Sequence, residues 1–201
     1  MPGIFGLISS QSPETSKLQL QTMLATMQHE DFYHHGTYTN ELMGIFSGWI
    51  SHKNSFSDCM PLSHEQENVS IIFSGEAFID LDTLNELKVK CSGINFNNAK
   101  HLIWLYKKYS DAFIEMLNGW FSGILIDLRL KKVILFNDRY GVERIYYYED
   151  KEGFYFASEA KALLSIFPHL RQLDFASVGE VLSFGCVIQN KTLFPSIKLL
   201  P

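Results

Sequence analysis

Charge is scarce in this chain. Only 19% of its 201 residues are Asp, Glu, Lys or Arg, against roughly a quarter in an average soluble domain. The balance is slightly acidic, with 17 basic and 22 acidic side chains and a net charge of −5. Basic residues never gather. Lys107-Lys108 and Lys131-Lys132 stand as isolated pairs, whereas a nucleic-acid binder carries a basic stripe. No nucleic-acid partner is expected. Cysteine is scarce too: Cys59, Cys91 and Cys186 are odd in number and far apart. They read as reduced thiols of a cytoplasmic protein, and a disulfide framework or zinc knuckle is excluded. No apolar run approaches the ~20 residues of a membrane span, so no membrane partner is expected. Met1-Pro2-Gly3-Ile4-Phe5-Gly6 lacks the charged start and long apolar stretch of a signal peptide. With 13 Gly and 6 Pro, the chain is neither collagenous nor of low complexity.

What is present is apolar and aromatic. Hydrophobic residues make up 46%, including 16 Phe, 9 Tyr and 3 Trp. A chain of this length buries about 70% of its unfolded surface and needs no disulfide or metal to fold. One domain of generous size is expected, or two small ones.

The pattern along the chain alternates between periods. Gly3 to Ile8 reads as a buried strand. Ser12-Pro13-Glu14 opens a helix to Gln28 with a stripe of Leu18, Leu20, Leu24 and Met27. His29 to Asn40 reads as polar and irregular. Leu42 to Ile50 and Val69 to Phe73 are strand-like; Ser74-Gly75-Glu76 interrupts the second, which resumes over Ala77 to Ile79. Asp80 to Asp82 open a short helix over Leu84 to Val89. Asn97-Asn98 cap a helix from Ala99 to Tyr109, and a shorter one runs from Asp111 to Leu117. Strands follow at Trp120–Asp127, Val133–Phe136, Ile145–Tyr148 and Gly153–Ala157. Ser158-Glu159 starts a helix to Leu164, and another over Ser177 to Ser183 stops at Phe184-Gly185. Helices at both ends with antiparallel strands between them predict a layered α+β domain. The apolar ending Phe194 to Pro201 is expected to belong to the N-terminal part of a longer protein, or to form a docking edge.

Six segments together resemble one family. They are Gly3-Ile4-Phe5-Gly6, Ser74-Gly75-Glu76, Asn118-Gly119-Trp120-Phe121, Asn137-Asp138-Arg139-Tyr140-Gly141-Val142, Phe156 through Leu164, and Leu182-Ser183-Phe184-Gly185. In this order and spacing they are similar to the N-terminal glutaminase domain of asparagine synthetases, a class II glutamine amidotransferase. The resemblance spans residues 2 to 201 and implies an N-terminal-nucleophile hydrolase fold, a four-layer αββα sandwich of two antiparallel sheets. A glutaminase-like domain is therefore expected over 1–201. The family's second half, an ATP pyrophosphatase domain with a Ser-Gly-Gly-x-Asp-Ser loop, has no counterpart in this chain.

The resemblance also implies a lost activity. In the family the residue after the initiator Met is a cysteine whose thiolate attacks the glutamine amide, with its own α-amine as base. Here that position is Pro2, and loss of a nucleophile alone costs on the order of 10⁶ in kcat. The family's glutamine-clamping arginine aligns with Trp49, its oxyanion asparagine with Ser74, and its ammonium-binding aspartate with Asn98; Gly75 and Glu76 match. A vestigial glutamine pocket is thus expected from Pro2, Trp49, Ser74, Gly75, Glu76 and Asn98, with no catalytic residue and no metal.

Other features admit plainer readings. His29, His34 and His35 read as a polar loop, since no Cys or acidic partner has metal-ligand spacing. Asp138-Arg139 and Glu159-Lys161 are assigned to turns and packing. Tyr146-Tyr147-Tyr148 fits strand alternation before base stacking. Pro2 as an N-terminal amine catalyst, as in tautomerases, is an alternative function.

The expected function is that of an inactive glutaminase-like domain with a structural or docking role. Its parent would be an ATP-dependent amide-forming enzyme resembling lasso-peptide macrolactam cyclases or β-lactam synthetases. The alternative parent is an asparagine synthetase using free ammonia. No cofactor is expected in this chain; Mg-ATP belongs to the parent's synthetase domain, supplied in cis or in trans. That parent would act on a peptide or an amino-acid-derived substrate.

Overall fold

The computed structural model describes residues 2–64, 68–90 and 98–201. Among them, strands build two antiparallel sheets and helices cover the outer faces. In chain order the elements are β1 (Gly3–Ser9), α1 (Pro13–Met27), β2 (His34–Asn40), β3 (Ile45–Ser51), β4 (Leu62–His64), β5 (Val69–Phe78), α2 (Leu81–Lys90), α3 (Leu102–Tyr109), β6 (Asn118–Asp127), β7 (Lys132–Asn137), β8 (Tyr146–Glu149), β9 (Gly153–Ala157), α4 (Ala160–Ile166), α5 (Phe175–Phe184) and β10 (Lys198–Leu199). The first sheet has the order β10-β8-β9-β1-β3-β2 and the second β4-β5-β6-β7.

Three apolar clusters mark three interfaces, and these make the four layers. Phe5 and Leu7 of β1 pack with Leu20, Met23 and Met27 of α1 and Leu163 of α4 on the outer face of the first sheet. Ile4 points the other way, as the strand period of two requires, and meets Ile72, Ile124 and Ile126 between the sheets. Val69, Ile71 and Phe73 of β5 turn outward to Leu102 and Leu105 of α3. The αββα sandwich expected from the resemblance is thus the observed architecture.

Local signals set several boundaries. Ser12 accepts the Thr15 N–H, and Pro13 occupies the first turn of α1, where a missing N–H costs nothing. The buried stripe of α1 is Ser16, Leu20, Met23 and Met27, while Leu18 is exposed. Asp174 caps α5 by accepting the Ala176 N–H, and Gly185 closes it at φ 77°. Asn98 accepts the Lys100 N–H, capping a 3-10 turn over Ala99–His101 that leads into α3. Cys91, and Asn97 as part of that cap, lie outside the described residues. Cys59 and Cys186 are free thiols.

Three expectations are revised by tertiary pairing. The segment read as irregular contains β2, which pairs residue for residue with β3 from His34↔Ser51 to Asn40↔Ile45. It is a polar edge strand, the composition that discourages edge-to-edge aggregation. Ser74-Gly75-Glu76 does not interrupt β5; the strand runs unbroken against β6 from Val69↔Asp127 to Phe78↔Asn118. Gly75 makes this possible. Its φ is +100°, and a Cβ there would lie 2.2 Å from the Trp120 carbonyl oxygen. The apolar ending docks rather than forming an open edge: Ile197 is fully buried with the α1 cluster, and β10 pairs β8.

Candidate functional site

The site forms at one end of the sandwich, where β1 begins. A cavity of about 910 Å³ opens there. Pro2 and, from β5, Ser74 and Gly75 contribute to its wall. Val142, Glu143, Arg144 and Tyr146, at the turn into β8, also line it, as do Ser158 to Lys161, at the junction of β9 and α4.

Ser158 fixes the start of β1 within this cavity. Its hydroxyl accepts the Ile4 N–H at 2.9 Å, and its own N–H donates to the Ile4 carbonyl at 2.8 Å. The residue at 3 must be small, because a Cβ there would fall 2.6 Å from the Ser158 Cβ.

The turn carrying Glu143 and Arg144 is held just as firmly. The buried Asp138 carboxylate accepts the N–H groups of Tyr140 and Val142, each at 3.1 Å, and of Glu143 at 2.8 Å. Burial, with the Asp138 charge nearby, pushes the Glu143 carboxyl above its ordinary pKa. Among the other lining residues, Glu159 lies 3.0 Å from Lys161 Nζ and 3.3 Å from His29 Nε2. Burial pushes the Lys161 amine below its ordinary pKa.

Of the six residues named from the resemblance, the fold brings three together. Pro2, Ser74 and Gly75 share the cavity. Glu76, the next residue of β5, is exposed and lines a separate cavity of about 500 Å³ with Asn54, Ser55, Leu84 and His101. Asn98 caps its 3-10 turn and also offers its carbonyl to His101 Nδ1 at 2.8 Å. Trp49 does not line the first cavity. It lies in the inter-sheet cluster with its ring over β2, so that a Cβ on Gly36 would fall 2.3 Å from Trp49 Cζ2.

The sequence reading missed Glu143, Arg144 and Ser158 as cavity residues. Its one available signal was adjacency, since Glu143-Arg144 directly follows the Asn137–Val142 segment and Ser158-Glu159 lies inside another. The histidines do not converge: His29 meets Glu159 and Lys161, and His34 meets Asp58 at 3.0 Å. Among the described residues no group of three or more His, Cys, Asp or Glu could hold a metal ion. No helix among them is long and apolar enough to cross a membrane.

Comparison with known proteins agrees with this geometry. Residues 1–201 match the family described as the glutamine amidotransferase domain. The chain belongs to that family. Its curated relatives include asparagine synthetases. The chain is 28% identical over 141 residues to asparagine synthetase [glutamine-hydrolyzing] 1 of Bacillus subtilis, covering 69% of this chain and 22% of that protein. It is 33% identical over 107 residues to the Zea mays asparagine synthetase [glutamine-hydrolyzing], covering 51% of this chain and 18% of the relative. The chain thus spans about a fifth of the length of these curated relatives. Among solved structures, the glutamine phosphoribosylpyrophosphate amidotransferase of B. subtilis superposes with a TM-score of 0.57 at 15% identity, covering 82% of this chain and 43% of that one. That likeness concerns the fold, an N-terminal-nucleophile hydrolase sandwich. The glutamine amidotransferase domain here is of the asparagine synthetase type.

Proposed function

We propose that this domain does not hydrolyse glutamine and serves as a structural and docking half of an ATP-dependent amide-forming enzyme related to asparagine synthetases. One observation carries the reading. The residue on the cavity wall at the start of β1, where the resemblance requires an attacking thiolate, is Pro2. Proline has no side-chain nucleophile. Three further features support it: neutral Trp49 packs between the sheets, Asn98 serves as a cap, and Ser74 replaces an amide donor. A docking role is supported by α5, which exposes Phe175, Leu182 and Phe184.

In this reading the nucleotide chemistry lies on a synthetase domain joined in cis or recruited in trans. The absence of a glycine-rich phosphate loop from the sequence supports placing Mg-ATP on that other domain. The parent adenylates a carboxylate with release of pyrophosphate, and an amine displaces AMP to form the amide. Where that amine already belongs to a peptide or amino-acid-derived substrate, as in macrolactam cyclases or β-lactam synthetases, no ammonia is needed. Loss of glutaminase activity is then harmless. The cytoplasm, where Mg-ATP is available, is the proposed location.

The names of the curated relatives favour a second reading, a parent that makes asparagine from free ammonia. Two measurements decide. Glutamate release from glutamine should stay at background, and turnover dependent on residue 2 overturns the main proposal. Pyrophosphate release by the parent with ammonia or with a peptide amine separates the two parents.

A further inference from the structure

The space between the sheets is filled by Ile4, Ile72, Ile124 and Ile126, and it turns polar at the end where β1 begins. The strand period of two carries the inner face from Ile72 to Ser74 on β5, from Ile124 back to Ser122 on β6, and from Leu135 to Asn137 on β7. These three polar residues stand side by side, because Ser122 is the register partner of both Ser74 and Asn137. Ser74 lines the cavity of about 910 Å³, so Ser122 lies one strand behind its wall.

Ser122 is fully buried, and its hydroxyl has no hydrogen-bond partner among the described residues. Folded proteins rarely leave a buried hydroxyl in that condition, because its lost hydration goes uncompensated. Other serines of this domain show two ways out. Ser47 donates to the Phe5 carbonyl at 3.1 Å. Ser63 and Ser70, themselves register partners, bring their hydroxyls to 3.3 Å. Ser74 and Ser122 stand in the same cross-strand relationship, yet no such bond joins them.

A third way out fits the geometry. Side chains directly opposite in an antiparallel pair have Cβ atoms about 5 Å apart, a gap that one water spans with two hydrogen bonds. A buried water makes about three hydrogen bonds. Two hydroxyls and the Asn137 amide supply three partners, each able to donate and to accept. The facing sheet repeats the pattern. Ser51 follows inner-face Trp49 by two residues, is buried, and carries a hydroxyl without a partner among the described residues. It adjoins His52, which lines the same cavity.

We propose that an ordered water binds behind the cavity wall, held by the hydroxyls of Ser122 and Ser74 and the side-chain amide of Asn137. The cavity then continues inward as a hydrated seam between the sheets, and Ser74 is positioned from behind by that water. The site is independent of whether the domain cleaves glutamine.

The test uses the whole chain. Water-to-amide NOEs on isotope-labelled protein should link a long-lived water to Ser74, Ser122 or Asn137. Relaxation dispersion of the solvent oxygen should count one fewer long-lived water in Ser122→Val, whose methyl groups fill the space that the water holds. Ser122→Ala keeps the space and removes one of three partners. A hydrated hydroxyl gives this variant a lower denaturation midpoint, whereas a dry one gives a higher midpoint, because an unsatisfied group is deleted. Should Ser122→Val fail to fold, the NOEs of the unaltered chain and the Ser122→Ala midpoint decide. Absence of a water NOE at all three residues, an unchanged water count in Ser122→Val, or an unchanged or raised midpoint in Ser122→Ala would each overturn the inference. Glutamate release bears on the non-hydrolytic reading alone and leaves this one untouched.

Discussion

Ser158 and Ile4 are joined twice. The Ser158 hydroxyl accepts the Ile4 N–H at 2.9 Å, and the Ser158 N–H donates to the Ile4 carbonyl at 2.8 Å. The first strand is therefore anchored by a residue 154 positions away, directly beside the cavity that Pro2 lines. Replacing Ser158 by Ala strands the Ile4 N–H in a fully buried setting. The expected loss is about 1–3 kcal/mol, read as a lower denaturation midpoint with an unchanged denaturant slope.

Gly75 and Gly179 make opposite predictions for the same substitution. At Gly75 the φ is +100° and a Cβ would sit 2.2 Å from backbone, so Gly75→Ala should destabilise by on the order of 3 kcal/mol. At Gly179, inside α5, a Cβ would meet nothing within 4 Å. Gly179→Ala should stabilise by about 0.5–1 kcal/mol. Thermal melts of the two variants check both signs.

Acid stability should depend on Asp127. Its buried carboxylate binds the Arg129 guanidinium at 2.8 Å and accepts the Tyr106 hydroxyl at 3.0 Å. Arg129 above all holds its pKa down to about 2, from 3.8, while burial and the same carboxylate push Tyr106 to about 12. Because the folded value is depressed, this stabilisation is present above pH 4 and is lost as pH falls towards 2. Its size is on the order of 2 kcal/mol. Denaturation midpoints should fall less steeply with acid in Asp127→Asn than in the parent chain.

Pro2→Cys by itself should leave glutamate release at background. The thiol would return to the cavity wall, but neutral Trp49 and Asn98 still stand where the resemblance places charged grips for glutamine. A coupled glutamate assay on this variant gives the answer, and clear turnover would show that the nucleophile was the sole deficit.

Ile197→Ala should cost about 2–5 kcal/mol, because Ile197 is wholly buried among the residues that seat α1 and α4. Equilibrium unfolding would reveal it. A negligible loss would mean that the apolar ending is not integral to the domain.

The legible features were those whose causes are local. Ser12-Pro13 opens α1 where a cap and a first-turn proline dictate, and Gly185 closes α5 because only a residue tolerant of positive φ fits there. The strands β6 to β9 followed from alternation, though not their division between the two sheets. The family, too, was readable from six ordered segments. Illegible were β2, whose polar residues carry no apolar period, and the continuity of β5 through Gly75. Both depend on a neighbouring strand that supplies hydrogen bonds from elsewhere in the chain.

For the site the division runs the same way. Sequence by itself determined that position 2 is a proline, with no side-chain nucleophile, and the resemblance alone places Trp49 and Asn98 at the family's charged grips. Only the tertiary structure decided which residues meet. It separates Glu76 and Asn98 from Pro2 and brings in Glu143, Arg144 and Ser158. The physical reason is that side-chain chemistry is a property of each residue, whereas proximity arises from strand register and turn anchoring between segments up to 154 positions apart.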